Sequence, residues 1–148
     1  MITYLALPSP PIPVLISRED RQGNVYTLLE RLTLLLSSGS LTVPAGFRSD
    51  GASVPRFFWR LVFPPGDTKA MRAAFLHDYL YRVQPEGWTR KDADDLFYEV
   101  LRADGMRWIS AYSAYIGVRF FGFFSWKKAQ KQKEKNQEGF TQNDRKNT

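Results

Sequence analysis

The chain has 148 residues, of which 43% are hydrophobic and 15% aromatic, so it is long enough to bury a core. It contains no cysteine, which excludes a disulfide framework, thiol catalysis and cysteine-ligated metals. The net charge of +6 is concentrated near the end, where residues 127–148 hold seven of the 21 Lys and Arg but three of the 15 Asp and Glu. The nearly neutral body argues against specific binding to nucleic acid.

The composition predicts a single domain over residues 1–126 and a basic, polar tail over residues 127–148. The tail is expected to extend the last helix and then become disordered, because it is rich in Lys, Gln, Asn and Glu. No segment is typical of a transmembrane helix, since the most apolar stretch, residues 108–126, is interrupted by Arg119. The N-terminus also lacks the pattern of a signal peptide.

The first half of the chain is predicted to form a small antiparallel β region. Residues 25–36 are ambiguous between helix and strand, but β-branched and aromatic residues and short flanking turns favour strands. Residues 41–43 form a further short strand that ends at Pro44. Because two or three helical segments follow, the expected fold class is α+β.

A loop over residues 47–55 is the first candidate for a binding site. Asp50-Gly51 is flanked by small residues, so backbone carbonyls and the carboxylate are able to point inward, as in loops that bind hard cations. The alternative is an ordinary turn in which Asp50 hydrogen-bonds the backbone. Composition alone favours the turn.

Residues 70–81 are predicted to form the central helix, which carries His77, the only histidine. At about 100° per residue, Ala70, Ala73, Ala74, His77 and Tyr81 share one face. The alanines keep this face shallow, so a second helix is able to approach closely. The imidazole then lies inside the contact and requires a hydrogen-bond partner.

The following helix supplies that partner. Thr89 and Asp92 have the spacing of a capping box, which predicts a helix that runs to about Ala103 before Asp104-Gly105. Asp94 lies at the edge of the apolar stripe of this helix. The sequence therefore predicts two antiparallel helices in which His77 and Asp94 face each other.

A third helix is predicted over residues 106–126, and it is apolar nearly all round. Such a helix is buried in a core, or packs on a membrane or on a partner protein. Core or oligomer contact is the simpler interpretation.

These residues together permit ester hydrolysis without a nucleophilic serine or cysteine. A histidine held by Asp94 is able to take a proton from water. Asp78 projects away from His77 and is placed to ligate a cation, whose coordination Asp50 and the Gly51 carbonyl would complete. The cation would polarise a carbonyl oxygen. A triad that uses Ser53 is disfavoured, since its surroundings are not a nucleophile elbow.

The pattern His77-Asp78-x-x-Tyr81, followed by Asp94-x-x-Phe97, resembles the helix pair of phospholipases A2. The Asp50-Gly51-Ala52-Ser53 loop resembles the calcium loop of their small bacterial and fungal members. The resemblance implies that His77 is the general base, oriented by Asp94, with Tyr81 hydrogen-bonded to the pair. It also implies that Asp78, Asp50 and the Gly51 carbonyl bind calcium, and that the partner is a phospholipid or membrane surface. Unlike those disulfide-stapled enzymes, this chain has no cysteine.

A second resemblance covers nearly the whole chain to Trp126. Segments 43–59, 77–81 and 90–105 are similar to a family of small phage and prophage proteins of unknown function. This resemblance implies a phage-encoded protein, located in the virion or in the host cytoplasm. Two functions therefore stay open: a calcium-dependent esterase or phospholipase-like hydrolase, and a non-enzymatic virion or accessory protein. The second would contact other phage structural proteins through the aromatic helix over residues 108–126 and keep His77 and Asp94 as a structural pair.

Overall fold

The computed structural model describes residues 13–19, 23–49 and 70–146. Within these ranges five β-strands precede three α-helices, so the predicted α+β class is confirmed. The strands are β1 (Val14–Glu19), β2 (Gly23–Leu28), β3 (Leu32–Leu36), β4 (Gly39–Val43) and β5 (Arg48–Ser49). The helices are α1 (Met71–Val83), α2 (Arg90–Ala103) and α3 (Trp108–Lys146).

The strands form two small antiparallel sheets. One has the order β1-β2-β5, and the other is the hairpin of β3 and β4. Within the ambiguous residues 25–36, residues 25–28 and 32–36 are therefore strand rather than helix. Along β3 the side chains alternate: Leu34 and Leu36 are buried, whereas Leu35 is 47% exposed. This two-residue period is typical of a sheet with one buried face. The segment is rich in leucine, which also favours helix, and burial of one face against the core selects the strand conformation.

The buried face of the β region packs on α1. Phe47 contacts two α1 rings edge to face, with centroids 6.5 Å from Phe75 and 5.5 Å from Tyr79. Leu28 and Val43 are fully buried in the same core. This packing places β5 beside the middle of α1.

The first two helices form an antiparallel hairpin with defined ends. The predicted capping box is present: Thr89 Oγ1 accepts from the Asp92 backbone N–H, and the Asp92 carboxylate accepts from the Thr89 backbone N–H. At the other end, both carboxylate oxygens of Asp104 accept from the Arg72 guanidinium, one of them from Nε at 3.1 Å. This buried ion pair joins the start of α1 to the end of α2 and fixes their alignment.

Helix α3 begins at Trp108, two residues after the predicted start, and continues past Trp126 to Lys146. Lys, Gln and Glu are strong helix formers, so a polar segment is able to continue a helix that packing has already nucleated. The division into a domain over residues 1–126 and a separate tail stays a prediction. Among the described helices, none combines the length and the apolarity needed to cross a bilayer.

Candidate functional site

The predicted contact between His77 and Asp94 is present. His77 Nε2 lies 2.9 Å from Asp94 Oδ1, and the two side chains are 2% and 0% exposed. The contact forms because the shallow alanine face of α1 meets the edge of the apolar stripe of α2, as the helical spacing predicts. A histidine and a carboxylate therefore share a buried site between two helices.

Three more side chains donate to the same carboxylate. The Tyr81 hydroxyl donates to Oδ1 at 2.6 Å, one turn along α1 from His77. Arg119 Nη1, on α3, donates to Oδ2 at 2.9 Å, and Arg90 Nη1 reaches the same oxygen at 3.4 Å. The two carboxylate oxygens of Asp94 therefore have different partners: Oδ1 faces α1, and Oδ2 faces the two arginines.

Neither arginine was predicted from the sequence to contact Asp94, and the reason differs between the two. Arg90 precedes Asp94 by four residues, a spacing that favours an ion pair on one helix face. That signal is present in the sequence but is shared by many surface pairs. Arg119 is the one charge inside the most apolar segment, which indicates a buried partner, although the sequence does not reveal which one.

The surroundings of Asp94 favour its ionised form. Burial by itself would raise the pKa of Asp94, but hydrogen bonds from His77, Tyr81 and Arg119 hold it below its ordinary value. Burial and the neighbouring Asp94 carboxylate raise the pKa of Tyr81 far above its ordinary value, so Tyr81 stays a neutral donor. Because an ionised carboxylate only accepts hydrogen bonds, the contact requires a proton on His77 Nε2, and in the neutral form of the ring the lone pair is then on Nδ1.

Aromatic rings and a glycine fix the position of the imidazole. The His77 ring lies 4.1 Å from the Tyr81 ring and 4.9 Å from the Phe97 ring, measured between centroids. Trp126 packs edge to face on Tyr81 at 5.1 Å. Gly122 lies against the Tyr81 ring, where a β-carbon would overlap the hydroxyl. The site is therefore built from all three helices.

Asp78, the candidate cation ligand on α1, is also buried, with 3% of its surface exposed. Its Oδ2 accepts a hydrogen bond from Ser49 Oγ at the end of β5. Ser49 immediately precedes Asp50-Gly51 in the chain, so the start of the predicted cation loop meets Asp78. Asp50 and Gly51 themselves lie outside the described residues, and the assignment of all three as ligands stays a prediction.

The donor set near Asp78 fits a hard cation only in part. A buried carboxylate next to a hydroxyl offers the oxygen ligands that calcium prefers. Within the described ranges, no group of three or more acidic or histidine side chains is placed to hold a metal ion. A calcium site here would therefore depend on oxygens from the loop that begins at Asp50.

The comparisons with known proteins point to a family but to no activity. A family model described as "Protein of unknown function (DUF1353)" matches residues 26–118. One relative, described as "Uncharacterized protein y4jT" from Sinorhizobium fredii, is 34% identical over 80 residues, which are 54% of this chain. The match covers 23% of that relative, so the chain spans less than a quarter of its length. No solved structure matches the chain.

Proposed function

We propose that the chain, which belongs to the DUF1353 family of proteins of unknown function, is a calcium-dependent ester hydrolase of the phospholipase type that uses His77 and Asp94 as a dyad. The observation that carries the proposal is the hydrogen bond from His77 Nε2 to the buried, ionised Asp94. This bond selects the tautomer in which Nδ1 is a base. A histidine held in this way is able to activate water at neutral pH.

The proton transfers follow from that tautomer. Nδ1 takes a proton from a water molecule while the water oxygen attacks the ester carbonyl carbon. The resulting imidazolium is stabilised by Asp94, and it returns the proton to the departing alkoxide. Tyr81 and Arg119 hold Asp94 in place during both steps through their hydrogen bonds to its two oxygens.

A calcium ion would be held by Asp78 together with Asp50 and the carbonyl of Gly51. When bound, it would stabilise negative charge on the carbonyl oxygen of the ester. The contact from Ser49 to Asp78 supports this assignment, because it brings the start of the loop to the residue next to His77. Asp78 and His77 are neighbours on α1, so the ligand and the base project from one turn of helix.

The experiment is an assay with a short-chain phosphatidylcholine and with a soluble aryl ester, in calcium and in a calcium chelator. We expect His77→Asn to lower kcat by about 100-fold or more, the usual contribution of a general base. Asp94→Asn should cause a similar loss, whereas Asp95→Asn is the matched control. Asp95 lies beside Asp94 on α2 but pairs with Lys91 and Tyr115. Asp50→Asn should raise the calcium concentration needed for half-maximal activity.

A second function, a non-enzymatic phage virion or accessory protein, is favoured by one specific observation. His77 is 2% exposed, and two arginines neutralise its carboxylate partner, as in a buried ion network that serves only stability. Under this function the wild-type protein hydrolyses neither substrate. His77→Asn then changes only the free energy of unfolding, and the protein is recovered in purified phage particles at fixed stoichiometry.

A further inference from the structure

The first half of α3 presents an apolar face that no described part of the protein covers. We call this face the outer stripe: Ile109, Tyr112, Ile116, Phe120, Phe123 and Phe124. These positions recur at helical spacing, and all six side chains are exposed. Phe120 and Phe124 are the most prominent, with 74% and 77% of their surfaces exposed. The opposite face of the same helix is buried against the domain, so α3 is held with the outer stripe directed outward.

The outer stripe ends where a run of lysines begins. Lys127, Lys128, Lys131 and Lys133 occupy the next two turns, and no acidic residue occurs before Glu134. The ammonium group of Lys127 lies 4.5 Å from the centroid of the Phe123 ring, so charge and apolar surface are in direct contact. Lys133 turns inward and donates to the Gln84 carbonyl at 2.8 Å. The remaining three lysines are exposed beside the outer stripe.

This combination is typical of helices that lie in the plane of an anionic bilayer. Apolar and aromatic side chains enter the boundary between headgroups and acyl chains, and neighbouring lysines contact lipid phosphates. Large exposed apolar patches on proteins mark contacts with partners or membranes. Here the adjacent positive charge is complementary to anionic headgroups.

Two features favour a bilayer over a second copy of the chain. A helical pair would be expected to continue its apolar pattern along α3, but residues 127–138 are polar and exposed on nearly every side. In a parallel pair, the lysines next to Phe124 would also face their own copies. The rings of Phe120 and Phe124 project from the surface, and a fluid layer accommodates projecting rings without a complementary groove.

We propose that the outer stripe, together with Lys127, Lys128 and Lys131, is a docking surface for an anionic lipid bilayer. Phe120 and Phe124 enter the boundary below the headgroups, and the lysines remain at the level of the phosphates. Docking does not depend on the His77–Asp94 site. A test of membrane binding therefore gives a result that is independent of the proposed hydrolase activity. On a hydrolase of phospholipid, the surface would hold the protein at its substrate.

The first experiment measures co-sedimentation of the full chain with phosphatidylcholine vesicles that contain or lack phosphatidylglycerol. We expect binding that requires phosphatidylglycerol and weakens as salt is added. Phe120→Ser combined with Phe124→Ser should lower the binding constant at least about tenfold. Leu35→Ser is the control, because Leu35 is a large exposed apolar residue of β3, outside the outer stripe. Lys127→Gln combined with Lys128→Gln should remove most of the preference for phosphatidylglycerol.

The second experiment places a fluorophore on the outer stripe. Since the chain has no cysteine, Phe124→Cys provides a unique labelling site, and Glu86→Cys labels an exposed loop as the control. With anionic vesicles, the label at 124 should shift to the blue and be quenched by spin-labelled lipid, and the label at 86 should do neither. His77→Asn in the same background should bind vesicles as the wild type does, whatever its activity.

Three results would overturn the proposal. The first is the absence of binding to anionic vesicles by a wild-type protein whose circular dichroism shows it to be folded. The second is equal binding by the Phe120 and Phe124 double variant. The third is a dimer in analytical ultracentrifugation in which the label at 124 is already shielded from an aqueous quencher, because the outer stripe would then be a contact between copies.

Discussion

The hydroxyl of Tyr81 lies against the backbone of Gly122, so that a β-carbon at position 122 would overlap the hydroxyl oxygen and lie 2.9 Å from two ring carbons. The same hydroxyl donates to Asp94 Oδ1 at 2.6 Å. A glycine on α3 therefore makes room for a tyrosine of α1 to reach a carboxylate of α2. The position of the dyad depends on this close approach.

Gly122→Ala should destabilise the protein, although alanine normally stabilises a helix interior relative to glycine. The added methyl group must push Tyr81 away from Asp94 or separate α3 from α1, at a cost of about 1–3 kcal/mol in the free energy of unfolding. Urea denaturation measures this change. Ser113→Ala, at an exposed position of α3, is the control and should be neutral or stabilising. A Gly122→Ala protein as stable as the wild type would show that α1 and α3 separate without loss.

Asp94→Asn should lower the free energy of unfolding at pH 7 by about 3 kcal/mol, because it leaves a buried histidine and two arginines without their charged partner. The pKa of Asp94 is below its ordinary value in the folded state. The unfolded chain therefore binds this proton more readily, and the wild type loses the contribution as the pH falls below about 4. The difference between the two proteins should shrink between pH 7 and pH 3, as measured by urea denaturation at both. A constant difference would contradict the role given to the charge.

Asp104→Asn should show the opposite pH dependence. Burial raises the pKa of Asp104 above its ordinary value even though Arg72 opposes the shift. The folded state then binds this proton more readily than the unfolded state, so the wild type gains relative stability as the pH falls through that pKa. The advantage of the wild type over Asp104→Asn should therefore grow on acidification. The measurement is the free energy of unfolding from urea denaturation at several pH values. The Asp94 and Asp104 variants are compared in parallel, so that each is the control for the other.

Ser49→Ala removes one hydrogen bond to the buried Asp78 and should lower the free energy of unfolding by about 1 kcal/mol without calcium. If Asp78 helps to hold calcium, saturating calcium should raise the melting temperature of the wild type and of Ser49→Ala, since ligands stabilise the state that binds them. Asp78→Asn should abolish that rise. Thermal unfolding in calcium, in magnesium and in chelator provides the measurement. An equal rise for Asp78→Asn would place the ion elsewhere.

The hairpin of α1 and α2 was predictable from sequence because its determinants are local. The Thr89 capping box sets where α2 begins, and helical spacing alone places Asp94 opposite His77. The participation of Arg119 was not predictable, because it depends on how α3 is rotated and where it packs on α2. The contact between Ser49 and Asp78 was also beyond local patterns, since it joins a two-residue strand to a helix 29 residues later.

Asp94 accepts hydrogen bonds from α1, from its own helix and from α3. The set of hydrogen bonds to Asp94 is therefore complete only when all three helices are packed together. Without α3, Oδ2 of Asp94 loses the hydrogen bond from Arg119 at 2.9 Å and keeps only the longer contact with Arg90 at 3.4 Å. Opening of α3 alone would therefore weaken the hold on Oδ2 while leaving the hydrogen bonds from α1 to Oδ1 in place.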